Sequence, residues 1–234
     1  MTWSEERRAV VLAHDRPLAE LVRLALNHAH FQAEIRDQFE EALSAIRDYR
    51  PHLLVADVEM GLPQLLEHLG ASPEDAPRIS VIGLTRRGDL KTKLLAFDQG
   101  VDDILTVPFF AEELVARVTA VTRRVYGEVA SIQQTLRIGD LEIDILNPRV
   151  QVDRSTIHLT GLEQSLLYLL AANAGNVLTR DAIIDVVWGG DFPAESKLVD
   201  RHIRSLRAKL HDSWRRPRFI ATVRGQGYRF IPLS

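Results

Sequence analysis

An aspartate, Asp57, closes the apolar run HLLVAD (52–57), and a threonine, Thr85, closes another, RISVIGLT (78–85). A carboxylate and a hydroxyl at the ends of two such runs make a candidate site if the runs lie side by side. Two more run ends supply neighbours: Ala13, His14 and Asp15 at the end of AVVLA (9–13), and Val107 with Pro108 at the end of DDILTV (102–107). A phosphohydrolase would use Asp57 as nucleophile, but the sequence offers neither a second catalytic carboxylate at a supported position nor a phosphate-cradling Gly-rich loop. The second chemistry is electrostatic. Between 197 and 229 stand ten basic residues (Lys197, Arg201, Arg204, Arg207, Lys209, Arg215, Arg216, Arg218, Arg224 and Arg229) against Asp200 and Asp212 alone. So one-sided a segment suits a polyanion.

For the first set to meet, the runs must be neighbouring strands. AVVLA, FQAEIR (31–36), HLLVAD, RISVIGLT and DDILTV are short, apolar and rich in β-branched residues or leucine, as in a sheet covered on both faces. Between and after them, Leu18, Leu21, Val22 and Ala25 share a helical face, as do Phe39, Ala42, Leu43 and Ile46, and Leu114, Val115, Val118 and Val121. Five strands alternating with five helical segments predict a flavodoxin-like α/β fold, a doubly wound parallel sheet whose site lies at the carboxyl ends of the strands. The third helix, in GLPQLLEHLGASPEDAP, is expected to be short because Gly, Ser and Pro soon end it.

The 234 residues suffice for two cores, and no apolar run approaches the roughly 18 residues of a membrane span. The chain has no cysteine, which excludes disulfides, thiolate metal sites and thiol catalysis, and no signal-peptide pattern opens it; a cytoplasmic protein is expected. Its net charge of −3 is unevenly shared: residues 1–126 hold 15 basic and 20 acidic residues, residues 127–234 hold 14 and 12. Domains are therefore expected at 1–126 and 135–234, joined by a linker at 127–134 where helical periodicity lapses.

The second half changes pattern. LRIG, LEIDIL, RVQV and STIHL read as short strands between turn signals. LTGLEQSLLYLLAANAG places Thr160 and Glu163 at capping-box spacing. A helix follows from Thr179 to Trp188, another is SKLVDRHIRSLRAKL (196–210), and FIATVRGQGYRFI (219–231) reads as a hairpin in which Gly225 and Gly227 permit the positive φ of a tight turn. In the 196–210 helix Val199, Ile203, Leu206 and Leu210 form a buried stripe, and Lys197, Arg201, Arg204 and Ser205 face elsewhere.

VDDILTVPF and ELVARV, followed by VDRHIRSLRAKL and TVRGQGYRF, resemble the OmpR/PhoB-type response regulators over essentially the whole chain. The resemblance implies a receiver followed by an α+β winged helix-turn-helix domain that binds double-stranded DNA. It puts the 196–210 helix in the major groove and Arg224 of the wing in or beside the minor groove, makes His202 and Arg207 phosphate contacts, and adds Arg180. It places the WGGDFPAES loop (188–196) where the family meets RNA polymerase.

In such a receiver an acidic pair after the first strand holds magnesium, an aspartate after the third takes the phosphoryl group, a Thr or Ser follows the fourth, and a lysine precedes the proline after the fifth. Asp57 and Thr85 match this pattern. Ala13 and His14 hold the acidic-pair positions with Asp15 one step beyond, Val107 replaces the lysine, and Ile104 replaces the aromatic residue that the family commonly moves on phosphorylation. These departures read as a degenerate pocket, regulated without aspartyl phosphorylation; the alternative is a conventional regulator phosphorylated on Asp57 by a histidine kinase. A pairing of His14 with Asp57 is one way to hold the active arrangement. The family's homodimer face, made by the fourth helix, fifth strand and fifth helix, is matched by Lys93 with Glu113, Asp103 with Arg117, and Asp102 with Arg124. No cofactor, metal or catalytic residue is assigned.

Overall fold

The computed structural model describes residues 7–70, 78–127, 135–145, 149–153, 155–190, 192–193 and 197–232. Residues 128–134, most of the expected linker, lie outside them, as do Asp191 and residues 194–196 of the loop assigned to polymerase. Two compact units part near residue 132.

In the first unit β1 (Arg7–Leu12), β2 (Phe31–Arg36), β3 (Leu53–Asp57), β4 (Ser80–Thr85) and β5 (Asp103–Thr106) form a parallel sheet in the order β2-β1-β3-β4-β5. Their connections are α1 (Arg16–His28), α2 (Phe39–Tyr49), α3 (Leu62–Gly70) and α4 (Leu90–Asp98), and α5 (Ala111–Tyr126) follows β5. The central strands are apolar throughout because both faces are covered: Val10, Val11, Leu54, Val55 and Ile82 are fully buried. Strand order reverses between β1 and β3, so the crevice of this sheet opens at their carboxyl ends, where Asp15 and Asp57 lie. Asp15 caps α1 by accepting the Leu18 amide, and Asp89 caps α4 by accepting the Thr92 amide. The expected short third helix runs nine residues, since Leu62 and Leu65 anchor it in the core before Gly70.

The second unit opens with an antiparallel sheet, β6 (Thr135–Ile138), β7 (Leu141–Asp144), β8 (Arg149–Val152) and β9 (Ser155–His158), in that order. Then come α6 (Gly161–Ala172), β10 (Val177–Thr179), α7 (Arg180–Val187), α8 (Lys197–Lys209), β11 (Ile220–Val223) and β12 (Gly227–Phe230). The last three strands pair as β10-β12-β11, and with three helices make a winged helix. The capping box forms at Thr160 and Glu163, and Thr179 caps α7. Val199, Ile203 and Leu206 of α8, and Leu210 just after it, are buried as their spacing requires.

Two expectations change here. The strand β10 is too short for any periodicity to mark it. Of the two hairpin glycines only Gly225 has a positive φ, +73°. Gly227 serves close approach instead: a Cβ there would lie 1.9 Å from the Leu178 carbonyl oxygen of β10, with which β12 pairs.

Candidate functional site

The carboxyl ends of β1, β3 and β4 bring Asp15, Asp57 and Thr85 to one region of the first unit. The group that joins the two aspartates is Arg86, immediately after β4. Its Nη2 lies 2.8 Å from Asp15 Oδ2, and its Nη1 lies 3.6 Å from Asp57 Oδ2. Asp57 also accepts the Glu59 amide at 3.0 Å, while Arg87 Nε reaches Glu59 Oε1 at 3.2 Å. Thr85 is buried, and its hydroxyl is engaged by the Arg87 backbone, accepting the amide at 3.0 Å and donating to the carbonyl at 3.2 Å. The ionic partner of Asp57 among the described residues is thus Arg86, not His14. His14 is exposed at the rim of a cavity of about 470 Å³ that Phe39, Met60 and Gln64 also line. Ala13 and Val107 are buried, and the Val107–Pro108 peptide is cis.

Magnesium prefers a near-octahedral shell of oxygens, and the donors here do not supply it. Ala13 offers hydrocarbon, one oxygen of Asp15 caps α1 and the other faces Arg86, and a guanidinium bridges Asp15 and Asp57. No cluster of three or more His, Asp or Glu among the described residues has metal-binding geometry.

In the second unit, α8 presents Lys197, Arg201 and Arg204, spaced four and three, on one exposed face opposite its buried stripe. Arg224, at the hairpin turn, is exposed as well. None of these four has a carboxylate within ion-pair distance among the described residues. The other residues assigned to DNA are engaged within the protein. Ser205 donates to Glu163 Oε1 at 2.7 Å, and Lys209 lies 2.6 Å from Glu163 Oε2. Arg207 donates to the Ile220 carbonyl at 2.6 Å and to the Thr222 hydroxyl at 2.9 Å, and burial lowers its pKa. His202 packs on Trp188 with ring centres 5.4 Å apart, and burial, then Arg201, lowers its pKa. Arg180 Nε lies 2.7 Å from Asp200 Oδ1, which also accepts the Tyr228 hydroxyl at 2.7 Å. Burial opposes ionisation of Asp200, but Tyr228 and Arg180 outweigh it and lower its pKa. Arg180 and Arg207 both lie over the Tyr228 ring, at 5.1 and 5.7 Å, so α7, α8 and the wing are joined at one residue.

On the face formed by α4, β5 and α5, Arg117 bonds Asp103 at 2.9 Å and Glu113 at 2.8 Å within the chain, and the two acids raise its pKa. Asp102 pairs with Arg78 and accepts the Val81 amide at 2.8 Å, while Arg124 is exposed and Lys93 half-buried. Leu90, Leu94, Leu95 and Phe97 of α4 are exposed apolar residues.

Residues 10–119 match the family described as response regulator receiver domain, and residues 154–230 that described as transcriptional regulatory protein, C terminal. Over 226 residues, 97% of each chain, the protein is 34% identical to the DNA-binding response regulator MtrA of Mycolicibacterium smegmatis. The chain belongs to the OmpR/PhoB family of response regulators. It is also 36% identical over 225 residues, 94% of this chain and 96% of the other, to the response regulator MprA of Mycobacterium bovis. Among solved structures, the Thermotoga maritima OmpR/PhoB homologue DrrB matches 97% of this chain and all of its own at 29% identity, with a TM-score of 0.46.

Sequence reasoning about this response regulator missed two residues. Arg86 was legible in LTRRG, where two arginines follow a strand tip, but the family pattern points to the residue before Pro108, and the loop after β1 to His14, as the sources of a cation. Glu163 was recognised as half of a capping box; its ion pair with Lys209, 46 residues on, had no local signal.

Proposed function

We propose that this response regulator is a dimeric, sequence-specific DNA-binding transcriptional regulator that works without aspartyl phosphorylation. The observation that carries DNA binding is the exposed row Lys197, Arg201 and Arg204 on a helix whose opposite face is buried, with Arg224 exposed on the wing. Guanidinium groups so presented reach phosphates and guanine edges of a major groove. That the relative MtrA is a DNA-binding response regulator supports the same reading. Arg180, His202, Ser205 and Arg207 then act chiefly by holding α8 and the wing in register, with backbone contacts secondary.

Phosphorylation independence is supported by a pocket that lacks a second acid and a lysine and already has a guanidinium between Asp15 and Asp57. The homodimer is assigned to the α4–β5–α5 face, where Asp103, Arg117 and Glu113 form a charged row beside exposed Leu94, Leu95 and Phe97. Exposed ion pairs contribute roughly 0–1 kcal/mol each, so they set register while apolar contact supplies adhesion. RNA polymerase is the partner assigned to the 188–196 loop. Among the described residues no helix is long and apolar enough to cross a membrane, and access to the chromosome places the protein in the cytoplasm.

The test is light scattering of the purified chain, with phosphate uptake from acetyl phosphate and magnesium and Asp57→Ala as control. A dimer that takes up no phosphate is expected. A monomer that dimerises only once Asp57 is phosphorylated establishes the conventional two-component alternative.

A further inference from the structure

We infer that Arg86 takes the place of a metal ion between Asp15 and Asp57 and, with Arg87, fixes the segment from β4 to α4 in one position. This assignment rests on the reading that Asp57 is not phosphorylated. Asp15 follows β1, Asp57 and Glu59 end or follow β3, and the two arginines follow β4, so three loops meet through side chains of opposite charge. Neighbouring arginines engage different acids: Arg86 reaches Asp15 and Asp57, and Arg87 reaches Glu59. The Arg86–Asp15 bond at 2.8 Å is the anchor of the segment, and the exposed Arg87–Glu59 pair at 3.2 Å adds a weaker restraint.

Without Arg86, Asp15 and Asp57 would keep two negative charges at the sheet's crevice with no cation between them. A divalent ion ordinarily settles such a pair, and a guanidinium does so here with planar, directional donors and a charge that cannot be titrated away. Unlike an ion, it is tethered to the backbone, so neutralising the acids also positions residues 85–89. The Thr85 hydroxyl is turned to the Arg87 backbone, and Asp89 caps α4 by accepting both the amide and the hydroxyl of Thr92. Each residue from 85 to 89 except Gly88 therefore holds a bond that fixes where α4 begins. Arg86 is a positioning residue: it places α4, with its exposed Leu90, Leu94 and Leu95, through the loop it anchors.

The experiment is hydrogen exchange of the full chain, read at the Arg87 amide, which donates to Thr85 Oγ1, and at residues 88–90. Wild type, Arg86→Ala and Arg86→Lys are compared with and without millimolar magnesium. Arg86→Ala is measured again in an Asp15→Asn/Asp57→Asn background, and phosphate uptake is recorded in parallel. Arg86→Ala is expected to speed exchange about tenfold or more, Arg86→Lys to recover part of the protection, and neutralising both acids to erase the difference. Magnesium is expected to leave the wild-type rates unchanged. Unchanged exchange in Arg86→Ala, a difference that persists once both acids are neutralised, or a magnesium response in the wild type each overturns the assignment. Phosphate uptake by wild-type Asp57 with the loop rates as expected instead overturns the phosphorylation reading and leaves Arg86 as the anchoring cation.

Discussion

Replacing Glu163 with glutamine removes one charge from the joint between α6 and α8 while keeping its shape. Burial by itself would raise this carboxyl's pKa, but the Lys209 ammonium, the Thr160 amide and the Ser205 hydroxyl outweigh it and hold the group at about 2, against an ordinary 4.5. A carboxylate depressed in this way stabilises the folded state above pH 4.5, and the benefit fades as pH falls through about 2. At roughly 1.4 kcal/mol per unit of displacement, the charge contributes about 3 kcal/mol at pH 7, about 1.4 kcal/mol at pH 3 and a few tenths at pH 2. Lys209 is partly exposed and regains some hydration when its partner goes, so Glu163→Gln is expected to cost about 2–3 kcal/mol at pH 7. Urea unfolding of the full chain, followed by tryptophan fluorescence, measures this, and repeating it at pH 3 should halve the gap between variant and wild type. Lys209→Met should cost at least about 1 kcal/mol less in the Glu163→Gln background than in wild type. A loss below about 0.5 kcal/mol, or one that stays constant from pH 7 to pH 3, refutes the reasoning.

Three further outcomes are expected. Arg204→Ala should weaken duplex binding and lower the slope of log affinity against log salt by about one if Arg204 contacts a phosphate, or relax preference at one base pair by about 1–3 kcal/mol if it contacts a base edge; anisotropy titrations at several salt concentrations on single-base operator variants decide which. Gly227→Ala should cost about 3 kcal/mol or more because β10 must part from β12, whereas Gly225→Ala, with open space around it and strain alone to bear, should cost about 1 kcal/mol; thermal unfolding ranks the two. Arg117→Glu should weaken the dimer about tenfold by setting three negative charges together at Asp103 and Glu113, which sedimentation can measure.

Much of the fold was legible because its signals are local. Continuous apolar runs such as HLLVAD mark strands buried on both faces, and the four-three-four spacing of Val199, Ile203, Leu206 and Leu210 fixes which side of α8 is inward. What escaped depends on pairing across the chain. β10 exists because β12 lies beside it, and Gly227 is required by that same neighbour rather than by its own φ. The site shows the same division. Asp57 and Thr85 could be placed from strand ends alone, but that Arg86 bridges Asp57 and Asp15 depends on how three loops converge, and that Ser205 turns inward to Glu163 depends on α6 packing on α8. A helical wheel separates inward from outward, yet Ser205 sits at the boundary, where the partner decides.

The most direct test of the central claim is the affinity of the full chain for a duplex selected from a random pool, measured before and after acetyl phosphate and magnesium, with Asp57→Ala alongside. Regulation free of phosphorylation predicts tight, salt-sensitive binding that is the same in all three samples. Binding that appears only after treatment, and is absent from Asp57→Ala, contradicts it.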